Sequence, residues 1–456
     1  MNLEIIILAA GQGTRMKSAL PKVLHPVAGV PMLQHVLNTA RELEPRAVHV
    51  VVGHGAEAVR EAIADPDINW VVQEQRLGTG HAVLQAMPSV AADSIVLVLY
   101  GDVPLITAAT LRALVARVSA APALLTAHVA NPAGYGRVLR DEWGNVRGVV
   151  EHKDAGAEEL LIDEINTGVL AAPAADLNNY LPEVGNGNSQ GEYYLPDVLA
   201  MAVADGKAVP AQVAPSELEI QGVNDRLQLS AVEREFQLRQ ARELMREGVS
   251  LADPARLDIR GQLTCGDDVV IDVNVVIEGT VTLGNGVRIG PNCVLRNVQI
   301  ADHASVHAMC HLEDASVGPD ANVGPYARLR PGTELAAGAR IGNFVETKNA
   351  RIGPGSKVNH LTYIGDCDMG EGVNVGAGTI TCNYDGINKH KTAIGDGVFI
   401  GSNSTLVAPI DIAAGGFVAA GSTLTKPVGG DELAVSRAKQ RNIQGWQRPG
   451  KQDGDK

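Results

Sequence analysis

The sequence predicts two architectures in one chain: an α/β domain with a doubly wound sheet, then an all-β domain wound as a parallel β-helix of hexapeptide repeats, with a long helix between them. Three observations predict this. Short β-branched runs alternate with helical spacing in the first half, and aliphatic residues recur every six positions in the second. The composition joins 45% hydrophobic residues to only 3% aromatics and 50 glycines in 456 residues, a core of small and aliphatic side chains. Glycine falls far short of the one-third of collagen, and 20% charged residues with ample Val, Ile and Leu exclude a disordered chain. Of the 50 glycines, 31 lie beyond residue 225, where repetition is therefore expected.

A formal net charge of −14 argues against a nucleic-acid binder, which carries a basic footprint. No apolar run approaches the ~18 residues of a membrane span, and the N-terminal MNLEIIILAA lacks the features of a signal peptide. A cytoplasmic protein without membrane partners is expected. The five cysteines, Cys265, Cys293, Cys310, Cys367 and Cys382, include no C-x-x-C pair and read as buried free thiols.

In the first half, Glu4–Ala10, Ala47–Gly53, Trp70–Gln73 and Ile95–Tyr100 read as strands, with helical spacing over Ala56–Ala64 and Gly80–Met87. Near-continuous aliphatic runs suit strands of a parallel sheet buried on both faces. This predicts an α/β domain over residues 1–225. Such sheets bind ligands at the carboxyl ends of their strands. After the first strand comes Leu8-Ala9-Ala10-Gly11-Gln12-Gly13-Thr14-Arg15-Met16, then Leu20-Pro21-Lys22. A glycine loop can bring backbone N–H groups to phosphate, and Arg15 and Lys22 add positive charge. Met16 stands where a dinucleotide fingerprint needs its last small residue and where a P-loop needs glycine, so neither motif is present. Tyr100-Gly101-Asp102 delivers a carboxylate to the same edge, suited to Mg²⁺ on nucleotide phosphates. Gln73 through Gly78, Thr79 and Gly80 runs from a strand end through a turn into a helix. Tyr135-Gly136-Arg137, Glu151-His152-Lys153, Ile165-Asn166-Thr167-Gly168 and Gly222-Val223-Asn224-Asp225 follow.

In this order, these segments resemble the sugar-1-phosphate nucleotidyltransferases, whose catalytic domain is Rossmann-like. The resemblance implies that Leu8, Ala9, Ala10, Gly11, Gln73, Gly78, Thr79 and Tyr100 hold the nucleotide, UTP. Arg15 and Lys22 would neutralise its triphosphate, Asp102 and Asn224 would hold Mg²⁺, and Gly136, Glu151 and Asn166 would hold the sugar phosphate. Gln12, which is lysine in some relatives, is given no phosphate role.

Residues 226–250 carry no proline and glycine only at Gly248, and read as a long linker helix ending there, either a spacer or an ordinary packing helix. From Ile259 the six-residue series runs Cys265, Ile271, Ile277, Leu283, Ile289 and Leu295. It slips by one residue at Ile300 and at Val317, and resumes through Ile341, Ile352, Ile364, Ile400 and Leu424. One inward aliphatic per six-residue rung predicts a parallel β-helix over residues 251–456, its narrow coil excluding rings and its corners favouring glycine. The register breaks at Thr381–Ala393, a loop around which gather Arg330, Glu346, Lys348, His360, Tyr363, Asn374, Asn383, Tyr384 and Ser402. The tail Gly450–Lys456 is polar and expected to be disordered.

This half resembles the trimeric left-handed β-helix acyltransferases that use acetyl-coenzyme A. The chain as a whole resembles the bacterial bifunctional enzymes that join both activities, through Asn343-Phe344-Val345-Glu346-Thr347-Lys348, His360-Leu361-Thr362-Tyr363, Asn374 to Thr379 and Cys382 to Gly386. The resemblance implies a homotrimer that acetylates glucosamine 1-phosphate with acetyl-CoA and then couples N-acetylglucosamine 1-phosphate to UTP. It makes His360 the general base, with Glu346 orienting its imidazole. Arg330, Lys348, Tyr363 and Asn374 would hold glucosamine 1-phosphate. Ala377, Asn383, Tyr384, Ser402, Ala420 and Arg437 would line the acetyl-CoA site, Asn383 and Tyr384 also positioning the sugar amine and Ser402 also serving the oxyanion. Two alternatives stay open: a single-activity nucleotidyltransferase whose solenoid serves assembly, and a non-catalytic scaffold.

Overall fold

A computed structural model describes residues 2–53 and 55–450, so most of the 450–456 tail lies outside the described residues. The chain divides into two compact units, Met1–Arg239 and Gln240–Lys456.

In the first unit the strands Leu3–Ala9, Ala47–Val52, Ile68–Val72 and Ile95–Tyr100 form where the aliphatic runs predict them, with Leu3–Ala9 central and parallel to both neighbours. Ile5 and Ile7 face one core, with Leu33, Val36 and Leu37 of the helix Met32–Arg41. Ile6 and Leu8 face the other, with Ala82, Val83 and Ala86 of the helix Thr79–Ala86. Burial on both faces explains why Ile5–Ala9 is unbroken by polar residues. The sheet is mixed rather than wholly parallel: Glu164–Pro173 runs antiparallel to both Ile95–Tyr100 and Ala123–His128. A parallel return needs a crossover of a dozen or more residues, usually helical. The chain between His128 and Glu164 instead folds into the hairpin Arg137–Arg140/Val146–Val150.

In the second unit parallel strands stack in sheets of 11 and 13. Ile259 pairs with Ile277, Leu295 with Leu312, and Leu312 with Leu329, each residue beneath its equivalent one coil on. The aliphatic series is buried in one continuous core, with Cys265 packed against it, and Cys293, Cys310 and Cys367 are buried as well. Where the series lapses, buried threonines stand in its place. Thr347 lies under Ile364 and shares a 3.1 Å hydrogen bond with Thr333 Oγ1. Thr381 lies under Leu406, and its Oγ1 accepts the Gly365 N–H at 2.7 Å. These two buried hydroxyls are thereby satisfied, as an apolar interior favours.

The linker forms one helix, Arg226–Arg246, with Gly248 at φ +101° just beyond its end. Val232 is buried with Met16, Val27, Met32 and Leu105 of the first unit, and Leu244 belongs to the solenoid core. The helix thus packs at both ends.

Two candidate active sites

The carboxyl edge of the first sheet opens into a cavity of about 590 Å³. Leu8, Ala9, Ala10, Gly11, Lys22, Gln73, Gly78, Thr79, Tyr100, Asp102 and Asn224 all line it. Register explains the convergence: Leu8 pairs with Tyr100, and Ala9 with Val52, which pairs in turn with Val72, the residue before Gln73. Gly78 sits at φ +109°, and a Cβ there would lie 2.6 Å from the Tyr193 carbonyl oxygen, so the turn admits no side chain. Lys22 Nζ donates to Asp102 Oδ2 and, at 3.2 Å, to Asn224 Oδ1. Gln228 Oε1 in turn accepts the Asn224 N–H at 2.7 Å. Two hard oxygens thus already converge on a cation, an ammonium, which is the donor set a Mg²⁺ site uses.

Arg15 lines an adjoining cavity of about 270 Å³, walled also by Tyr100, Asp102 and Asn224. Gly136, Glu151 and Asn166 line neither cavity but cluster together. The Asn166 N–H donates to the Gly136 carbonyl at 2.8 Å, and a Cβ on Gly136 would meet Glu151 Oε1 at 3.0 Å. Burial, and then Asp154, Asp197 and Glu192, push the Glu151 carboxyl up. Burial chiefly, with Asp102 and Glu151, pushes the phenol of Tyr100, which lines both cavities, up. Sequence reasoning missed Arg76 and Glu192, which also line the cavity. Arg76 lies within the strand-to-helix turn already singled out. Glu192 comes from a remote loop held by hydrogen bonds from Tyr193 N–H to Leu77 O and from Gly80 N–H to Tyr193 O, both 2.8 Å, and carries no local signal.

In the solenoid, Arg330 Nη1 donates to Glu346 Oε1 at 2.7 Å. Lys389 beside Lys348 depresses the Lys348 ammonium, with burial and Arg330 adding to the effect. Arg330, Lys348 and Lys389 therefore form a cationic cluster suited to phosphate. Lys389 lies in the loop between Thr381 and Ala393, where the basic run Lys389-His390-Lys391 was its only signal. Asp366 holds both Asn349 Nδ2, at 2.5 Å, and Asn383 Nδ2. The loop folds back on itself: Asp385 accepts the N–H groups of Ile387 and Asn388 at 2.8 and 2.7 Å and His390 Nε2 at 2.7 Å. These bonds, from Asn388 first, hold the Asp385 carboxyl far below the usual range. Tyr384 Oη donates to the Gly386 carbonyl at 2.6 Å and is exposed, while the Tyr363 ring lies tight over Gly365. Asn374 sits in register between Lys357 and Phe399.

Ala377, Ser402, Ala420 and Arg437 line up along one corner of successive coils. Asn403 N–H bonds Ala377 O at 2.7 Å, Gly421 N–H bonds Ser402 O at 2.8 Å, and Arg437 Nη1 bonds Ala420 O at 2.5 Å. One expected partnership differs. Glu346 is taken by Arg330, and His360 Nδ1 lies 2.9 Å from Asn343 Oδ1 instead. Register is the reason: Asn343 pairs with His360, whereas Glu346, beyond the Phe344 corner, pairs with Arg328 and Tyr363.

Residues 5–164 match the MobA-like NTP transferase domain family, and residues 264–297 match the bacterial transferase hexapeptide (six repeats) family. Curated relatives match nearly the whole chain. A protein of Pseudomonas putida (strain GB-1) named "Bifunctional protein GlmU" is 58% identical over 99% of both chains. Proteins of the same name from Marinobacter nauticus and Alkalilimnicola ehrlichii are 57% and 58% identical, each over 98% of this chain and over 99% and 97% of their own.

Proposed function

Because this chain belongs to the bifunctional GlmU family, we propose specific residues for each of its two reactions. The chain is an enzyme, a nucleotidyltransferase joined to a hexapeptide acetyltransferase, that acetylates glucosamine 1-phosphate and then forms UDP-N-acetylglucosamine with release of pyrophosphate.

The observation that carries the first assignment is the convergence of Lys22, Asp102 and Asn224 in the cavity at the strand ends. There a phosphate oxygen of N-acetylglucosamine 1-phosphate attacks the α-phosphorus of UTP in line. The nucleophile is already anionic, so this chain's residues align the reactants and neutralise charge. Arg15 and Lys22 take the phosphates. Asp102 and Asn224 would hold Mg²⁺, which when bound supplies charge neutralisation on the phosphates. Lys22 bridges both oxygens here and passes to phosphate when substrate brings its own anionic oxygens. The Gly136–Glu151–Asn166 cluster takes the sugar phosphate.

In the solenoid, His360 removes a proton from the amine of glucosamine 1-phosphate as the amine attacks the thioester carbonyl, and the departing thiolate of coenzyme A recovers it. Arg330, Lys348 and Lys389 hold the sugar phosphate with Tyr363 and Asn374. Asn383 and Tyr384 place the amine, Ser402 serves the oxyanion, and coenzyme A follows the line of Ala377, Ala420 and Arg437.

The hexapeptide solenoid suggests oligomerisation, and we assign a homotrimer. One corner supports this. Met309, Tyr326, Phe344 and Leu361 occupy it at φ +61°, +57°, +55° and +49°, in a conformation that disfavours bulky side chains. They are 46, 51, 56 and 63% exposed, although Asn274, Asn292 and Asn403 show what the same corner uses elsewhere. Strain combined with apolar exposure is stabilising only when a second copy covers the column. No described helix is long and apolar enough to cross a membrane, and a cytoplasmic location accords with soluble nucleotide and coenzyme A substrates.

Incubation with glucosamine 1-phosphate, acetyl-CoA, UTP and Mg²⁺, omitting each in turn, tests the whole reading. His360→Ala is expected to lower acetyl transfer by about 10²–10⁴-fold with uridylyl transfer intact, and Asp102→Ala to abolish only the Mg²⁺-dependent step. Loss of both activities in either variant would overturn the assignments.

A further inference from the structure

We propose that Asn343 is the positioning residue of the acetyl-transfer base, fixing the imidazole of His360 with its proton on Nδ1 and its lone pair on Nε2. This rests on the reading of His360 as general base. Asn343 ends the strand Arg340–Asn343, His360 ends the strand Lys357–His360, and the two are register partners on successive coils. The Asn343 Oδ1 lies 2.9 Å from His360 Nδ1. An amide oxygen only accepts, so Nδ1 carries the proton and Nε2 is left to take one from the amine.

The remaining groups at His360 leave the ring to Asn343. Its carbonyl receives the Thr362 hydroxyl at 2.6 Å and the Gly378 N–H at 3.4 Å, which fixes the backbone, and neither donor titrates. Glu346, the acidic partner expected from the sequence, is held by Arg330 at 2.7 Å, and Asp366, nearer along the chain, is taken by Asn349 and Asn383. A neutral acceptor has a chemical advantage over a carboxylate here. It selects the tautomer without adding the negative charge that would favour imidazolium over the free base.

The test uses the full chain and three variants, with acetyl transfer followed across pH. Asn343→Ala should lower kcat about ten- to hundredfold, the cost of a misplaced base, with KM for glucosamine 1-phosphate within about twofold. Asn343→Asp can only accept, so it should restore most of the rate while moving the acid limb of the kcat/KM profile upward by roughly one pH unit or more. Thermal melting and assembly size matched to the parent chain separate positioning from folding. An Asn343→Ala enzyme with parental kcat overturns the proposal, and so does a folded Asn343→Asp enzyme without activity, which would mean that the amide donates to Nδ1. If His360→Ala itself retains acetyl transfer, the general-base reading falls. If His360→Ala is inactive and Asn343→Ala is normal, only the positioning role falls.

Discussion

Asp366 is buried yet held below the usual carboxylate range. Burial alone would raise it, but the amides of Asn349 and Asn383, with Lys389 and Lys348 nearby, outweigh that effect. A carboxyl lowered by folding contributes stability above its unfolded value of about 4, and the contribution is lost as pH falls through the lowered folded value. Asp366→Asn is therefore expected to lower the melting temperature of the solenoid at pH 7 and to flatten its decline below about pH 4. Parallel pH profiles for variant and parent would refute this. The same residue shows what sequence can and cannot reveal at this scale. His360, Lys348 and Asn383 were legible because they break a repeating pattern that needs none of them. Asp366 stood inside the pattern, at a corner where asparagine and aspartate recur for their left-handed backbone, as at Asn297, Asp314 and Asn349. Its link to Asn383 and the link of Asn343 to His360 depend on which residues fall into register, 17 positions apart, which only the coil pitch decides.

The solenoid coil is the element in which sequence and structure agree best, since one inward residue per rung leaves little freedom. Its lapses were the informative places: buried Thr347 and Thr381 keep the register while breaking the aliphatic series. Close stacking also makes some small residues obligatory. A Cβ on Gly318 would lie 2.7 Å from the Leu335 oxygen and the Ala336 carbonyl carbon of the next coil, all backbone that cannot yield cheaply. Gly318→Ala should cost about 1–3 kcal/mol or more in denaturant melts, the range of overpacking, and an unchanged midpoint would refute the stated spacing. In the first unit four strands were legible from their aliphatic runs, whereas Ala123–His128, Glu164–Pro173, Ala211–Val213 and the hairpin Arg137–Arg140/Val146–Val150 were not. The antiparallel direction of Glu164–Pro173 was not, because direction depends on the connection before it rather than on the strand's own residues.

For the whole molecule, the exposed corner of Met309, Tyr326, Phe344 and Leu361 carries the expectation of assembly. The Tyr326 and Phe344 rings already stack at 5.2 Å on consecutive coils, and Leu361 adjoins His360. Light scattering is expected to report three chain masses. Phe344→Glu should yield monomers that lose acetyl transfer and keep uridylyl transfer, and a trimer that survives this substitution would place the interface elsewhere. The two units also differ in how far along the chain their contacts reach. Leu8 must find Tyr100, and Ala123–His128 must wait for Ala211–Val213, whereas each solenoid coil rests on the one before it. On a ribosome, where the chain emerges from its N-terminus, the first sheet stays incomplete until more than two hundred residues have appeared. The solenoid can then close turn by turn at the pace of translation. The interval most open to aggregation during synthesis therefore falls early, before the repetitive half has begun to emerge.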